Sequence, residues 1–125
     1  MREIKFRGMR EKTGEWVYGY LVARGEPYLH DIIYPIGDSS SCTWAIKRGS
    51  EGQYSGIRDA NRVDIYEGDI LEDDGDVWKV EFFDGAFWIV AIDGTATAEL
   101  LCGNDYMYVI GNRFDNPELM AVRDE

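Results

Sequence analysis

The chain predicts a mainly β domain, built as a small antiparallel barrel or a strongly curled sheet with little helix. Four tryptophans and eight tyrosines favour pleated surfaces, and fourteen glycines punctuate tight turns. Short runs of alternating or β-branched residues recur between Asp-Gly pairs at 74–75, 84–85 and 93–94, the pattern of hairpins stacked in sequence.

Taken in order, Glu3 to Met9 alternates charge with Ile4 and Phe6, a half-buried strand. Lys12 to Glu15 turns the chain, and Trp16 to Ala23 completes a hairpin. Arg24-Gly-Glu-Pro27 breaks it, and Tyr28 to Ile36 reads as a third strand. Gly37 to Ser41 is a polar turn, Cys42 to Ile46 a short strand, and Lys47 to Gln53 a polar connector. Tyr54 to Leu71 is a turn-rich connector that leads through Gly68 into a strand. Glu72 to Asp76 is a hairpin turn of the type I′ chemistry, followed by Val77 to Phe83, with Trp78, Val80 and Phe82 on one face. Ala86 to Ile92 is apolar on both faces, as in a central strand covered on both sides. Residues 95–105 read as a short helix or irregular crossing, and Tyr106 to Asn112 as the last strand. Asn116-Pro-Glu118 has helix-start chemistry, with one turn expected to Ala121. The 64–112 portion has the sequence shape of an SH3-like barrel, an analogy of pattern.

At 125 residues the chain makes one domain with a core of its own. Within it, 1–53 forms an N-terminal hairpin region with variable loops, and 54–125 the connector, the SH3-like barrel and a terminal turn. Charge is uneven. Six basic residues oppose three acidic ones over 1–24, so this stretch carries +3 and the remainder −14 of the net −11. A duplex would be repelled by most of that surface, and only the N-terminal hairpin offers a basic patch. No apolar run approaches the roughly 20 residues of a membrane helix, and no hydrophobic leader opens the chain. These features place it in the cytoplasm, away from the membrane, with Cys42 and Cys102 reduced.

No residue set commits to catalysis. His30 is the single histidine and has no second ligand of its kind nearby. Ser39, Ser40, Ser41 and Ser55 lack a base, and Gly52-Gln-Tyr-Ser-Gly56 misses the Gly-x-Ser-x-Gly spacing of a nucleophile elbow. The acidic run from Asp64 to Asp76 fails as a calcium loop: in EF-hand register Ile70 stands at position one and a strand follows. No metal, cofactor or catalytic residue is therefore expected. Gly68 is expected to supply an unusual backbone conformation, and Asp69 to accept backbone N–H bonds where the strand begins. The other reading of this segment is a partner-binding surface made by Tyr66, Glu67 and Asp69. Arg7 and Arg10, beside Lys5, Lys12, Trp16 and Tyr18, are the second binding candidate, a cationic and aromatic platform. The four tryptophans are otherwise expected mainly in the core.

Three separated motifs resemble the YopX-like family of phage and prophage proteins. They are Met1-Arg-Glu-Ile-Lys-Phe-Arg-Gly8 with Gly14-Glu-Trp-Val-Tyr-Gly19; Gln53-Tyr-Ser-Gly-Ile57 through Asp59 with Ile65-Tyr-Glu-Gly-Asp-Ile70; and Val109-Ile-Gly-Asn112 with Asp115-Asn-Pro-Glu-Leu119. After Asp59 the family commonly has Lys-Asn-Gly-Lys where this chain has Ala60-Asn-Arg-Val63. The resemblance implies a mainly β fold with an SH3-like barrel and a phage-encoded origin. It implies no enzymatic activity, cofactor or catalytic residue. The leading expectation is a non-enzymatic accessory protein that contacts an unknown host or phage protein, with self-association and DNA mimicry as narrower versions. The alternative is nucleic-acid binding through the basic N-terminal hairpin.

Overall fold

The computed structural model describes residues 3–25, 31–35, 43–95, 97–103 and 106–121. The fold is mainly β, and two antiparallel sheets account for it. The chain divides into two compact units, Met1–Tyr54 and Ser55–Glu125.

In the first unit, β1 (Phe6–Met9) and β2 (Trp16–Val22) form the expected hairpin, with Arg7 opposite Tyr18 and Met9 opposite Trp16. β3 (Asp31–Pro35) pairs with β2, and β4 (Trp44–Ile46) with β3. The start of β5 (Gly52–Arg58) lies on the other side of β1. A bridge joins Arg10 to Ile46, Lys47 N–H donates to the Met9 carbonyl at 2.8 Å, and Glu11 N–H to that of Ala45 at 3.0 Å. These bonds curl the sheet until β4 meets the end of β1. The curl encloses a core of Val17, Ile33 and Ile46, with Leu21 and Trp44 packed against it. Alternation along β2 sends Val17 and Gly19 inward and Trp16, Tyr18 and Tyr20 outward.

In the second unit, β6 (Asp64–Tyr66) neighbours β5. β7 (Asp69–Asp73), β8 (Asp76–Phe83), β9 (Ala86–Ala91), β10 (Ala98–Leu100) and β11 (Tyr108–Asn112) form a sheet in the order β10-β9-β8-β7-β11. That sheet is open, with β10 and β11 as its edges. Asp74 and Gly75, and likewise Asp84 and Gly85, all have positive φ, as the two type I′ hairpins require. The core is Ile65, Leu71, Val80, Ile89, Leu101 and Met107, with Trp78 and Phe87 packed on it. Fully burying each aliphatic side chain of this size contributes about 1.5–3 kcal/mol.

Several elements depart from the sequence reading. β5 occupies residues read as connector: Gln53, Ser55 and Arg58 are weak strand formers, and Gly56 at φ +85° interrupts the pleat. β10 replaces the expected helix or crossing, because pairing to β9 overrides the helical preference of Ala98-Glu-Leu100. Within β9 only Ile89 is buried, and the strand lies between the edge strand β10 and the central β8, so it is neither central nor covered on both faces. The last turn, a 3-10 helix over Pro117–Met120, forms where expected, but Asn116 does not cap it. Its Oδ1 accepts from Asn112 N–H at 3.2 Å instead, tying the turn to β11. The third strand is described from Asp31, and the expected residues 28–30 and 36 lie outside the described residues, as do His30, Cys42 and Ser39 to Ser41.

Candidate functional site

The outward face of the first unit gathers several exposed aromatic side chains. Tyr18, Tyr20 and Val22 project from β2, and Tyr34 from β3 stands directly across from Tyr20. Their exposures are 47% for Tyr18, 56% for Tyr20, 41% for Val22 and 45% for Tyr34. Trp16 continues the row at half burial. The signal for this row was legible: Trp16-Val-Tyr-Gly-Tyr20 alternates aromatic with small or aliphatic residues. Only the register shows Tyr20 and Tyr34 to be neighbours.

Arg7 and Arg10 do not form one patch. Arg7 shares the outward face with Tyr18, yet it is only 6% exposed, with its guanidinium 4.6 Å from the centre of the Trp16 ring. Lys5 lies 4.7 Å over the Tyr54 ring and pairs with Glu3 at 3.2 Å. Arg10 alternates to the opposite side, where it bridges to Ile46 and stands 5.7 Å from the Trp44 ring and 3.7 Å from Glu15. The cationic heads are thus spent on aromatic rings and carboxylates. The described side chains most exposed along β2 and β3 are Tyr18, Tyr20, Tyr34 and Val22. Nor do the tryptophans form the expected core: Trp44 and Trp78 pack against the two cores, Trp16 lies under Arg7, and Trp88 stacks on Phe83 at 5.2 Å.

The second candidate, Tyr66, Glu67 and Asp69, is built differently. Tyr66 is 4% exposed and Asp69 2%, with Glu67 half-buried between them. Asp69 Oδ2 accepts the Tyr66 N–H at 2.8 Å, closing a turn in which Gly68 has φ +92°. Gly68 also donates to the Val80 carbonyl at 2.9 Å and accepts from Arg113 N–H at 3.0 Å. The motif therefore secures the start of β7 from both sides, as its glycine and carboxylate suggested. Asp59 does the same ten residues earlier. Its Oδ1 accepts from Asn61 and Val63, and its Oδ2 from Val109. Sequence reasoning used Asp59 only as a family landmark, since its long-range partner lies fifty residues away.

Other reactive groups are dispersed. Among the described residues no three histidine, cysteine or acidic side chains are placed to hold a metal ion. Ser55 Oγ is engaged with the backbone of Ile57. A carboxyl pair does occur in the first unit. Asp31 is buried and its Oδ1 accepts from Arg24 N–H at 2.7 Å, while Glu51 Oε2 accepts from Gly49 N–H at 2.9 Å. Burial, then a hydrogen bond and the like charge of Asp31, hold the Glu51 carboxyl above its ordinary value of 4.5. The protonated form is therefore favoured by folding. Its contribution is full below the ordinary value and is lost as pH rises through the folded one. Glu51→Gln should raise the melting temperature at pH 7 by about 1–2 °C, a small effect because solvent screens the group. The gain should vanish at pH 3.5 in parallel melts.

No helix among the described residues is long and apolar enough to cross a membrane. A comparison with curated proteins finds no match. Among solved structures, the crystal structure of protein EF1440 from Enterococcus faecalis superposes with a TM-score of 0.63 at 22% identity. The match covers 96% of this chain and 99% of that one, so the whole fold is shared. The family model described as YopX protein matches residues 5–121, a span that takes in the tyrosine row and both carboxylate-anchored turns, and the chain belongs to the YopX family.

Proposed function

We propose that this protein is a non-enzymatic interaction module that binds a host or phage polypeptide in the bacterial cytoplasm. Its contact surface is the outward face of β2 and β3. The observation that carries this reading is the row of Tyr18, Tyr20 and Tyr34, each 45% exposed or more, on one face of a curled sheet. Tyrosines supply large contact areas at low entropic cost, and a protein interface concentrates its energy in such residues. Nucleic acid fits this face less well. Phosphate binding needs accessible cationic heads, whereas Arg7 is buried and Lys5 is engaged by Glu3 and Tyr54.

The test compares tagged wild type with the double variant Tyr20→Ser and Tyr34→Ser in affinity capture from lysogenic cells, quantified by mass spectrometry. The two residues are a cross-strand pair, so the variant should lose only about 0.5–1 kcal/mol of stability. A defined set of proteins should fall at least about tenfold in recovery, equivalent to about 1.4 kcal/mol of binding. Equal recovery by both proteins would remove the tyrosine face from consideration. Retardation of a labelled oligonucleotide at low salt, lost at high salt, would favour the nucleic-acid alternative.

A further inference from the structure

The second unit contains a cavity of about 590 Å³, within the range of small-ligand sites. Its apolar lining includes Val77, Trp78, Ile92 and Leu119, and its polar lining Asp76, Asp93, Thr95 and Thr97. Among the described residues no lysine, arginine or histidine lines it. Two backbone bonds frame the space: Ile92 N–H donates to the Val77 carbonyl at 3.1 Å, and Ala91 N–H to that of Thr97 at 2.8 Å.

Asp93, Thr95 and Thr97 are linked through one carboxylate. Asp93 Oδ1 accepts from Thr95 N–H at 2.9 Å and from Thr95 Oγ1 at 2.6 Å, and Thr95 Oγ1 lies 2.8 Å from Thr97 Oγ1. Both bonds fall on Oδ1, so Oδ2 keeps its acceptor capacity. The Thr95 bonds also hold the Asp93 carboxyl below its ordinary range, so it stays anionic. A second carboxylate, Asp76, shares the lining with an indole ring and aliphatic side chains. Residues 55–125 contain five basic and seventeen acidic residues, a net −12, against +1 for residues 1–54. A field of that sign concentrates cations at the acidic unit.

We propose that this cavity binds the terminus of an alkylammonium group, with the ammonium at Asp93 and Asp76 and the alkyl stem against Trp78, Ile92 and Leu119. Carboxylate and aromatic walls together favour an organic cation over both a neutral polyol and a bare metal ion. The same chemistry is offered by a free diamine and by a lysine side chain of another protein.

The experiment titrates the full chain with 1,5-diaminopentane and, separately, with N-acetyl-lysine amide, following backbone and indole N–H resonances by NMR. The reporters are the Thr95 amide and the Trp78 Nε1–H, which is buried and without a hydrogen-bond partner among the described residues. Controls are 1,5-pentanediol, and sodium and calcium chloride at matched ionic strength. Saturable shifts with either amine, absent with the diol and the salts, support the site, and the amine that binds more tightly identifies the source. Asp93→Asn should weaken binding at least about fivefold with the remaining spectrum unchanged, and Asp93→Glu should restore part of it. Equal shifts from the diol or calcium, full binding by Asp93→Asn, or no saturable shift with either amine would overturn the proposal.

Discussion

Gly19→Ala should unfold the first unit's sheet at its centre. A Cβ built on Gly19 overlaps the Tyr34 carbonyl oxygen, stands 2.8 Å from the Tyr34 carbonyl carbon and 3.0 Å from Ile33 Cγ2. The obstacle is backbone, and it cannot rotate aside as a side chain would. Tyr34 is held in the ladder by its pairing with Tyr20, and Ile33 is a fully buried member of the core. Relief would require β2 and β3 to separate, which would also open the space around Val17 and Ile46. The expected loss is about 3 kcal/mol or more, at the severe end for overpacked sites. Gly25→Ala is the control, since no described residue lies within 4 Å of its added carbon. It should stay within about 0.5 kcal/mol of wild type. Urea titrations of the two variants measure the difference, and a Gly19→Ala protein as stable as the control would show that β2 and β3 do not approach this closely. The same variant should lose partner capture, because Tyr20 and Tyr34 are neighbours only through that pairing.

How much of this was legible depends on the physical range of each signal. The β1–β2 hairpin and the two Asp-Gly turns were readable because alternation and turn chemistry are local. The role of Asp69 was also readable, since Gly68 and the Tyr66 N–H lie within three residues of it. β5 and β10 were not, because glycines, polar residues and helix formers hide strands that exist only through their neighbours. The separation of Arg7 from Arg10 was implicit in their odd spacing. Their like charge groups them, but the alternation of side chains across a strand sets them on opposite faces. The tyrosine face needed the β2–β3 register, and the cavity needed the bond from Ala91 N–H to the Thr97 carbonyl. Neither is a property of any short segment.

The second large effect is expected at Asp59, the family landmark that proved to be a structural bolt. Its carboxylate is 4% exposed and accepts three backbone N–H groups, from Asn61 at 2.8 Å, Val63 at 2.9 Å and Val109 at 2.9 Å. Two further backbone bonds, Asp59 N–H to Val63 and Ala60 N–H to Met107, run alongside. The side chain therefore fixes the 59–63 loop and joins it to β11 in one step. Asp59→Ala leaves three donors without their acceptor, and each such group costs about 1–3 kcal/mol when it stays buried. Because the loop can relax toward water, the net loss should be about 3–5 kcal/mol. Asp59→Asn separates the two halves of the role. Its single oxygen can serve Asn61 and Val63, but its amide then opposes the Val109 N–H donor to donor. Amide exchange at Val109 should accelerate at least about tenfold in Asp59→Asn, with a smaller change at Asn61 and Val63. If Asp59→Ala were instead within about 0.5 kcal/mol of wild type, the carboxylate would not be structural. The central motif of the family would then have to be explained by binding. On the present geometry it is explained by backbone donors that only a buried acid, placed at the junction of loop and strand, satisfies together.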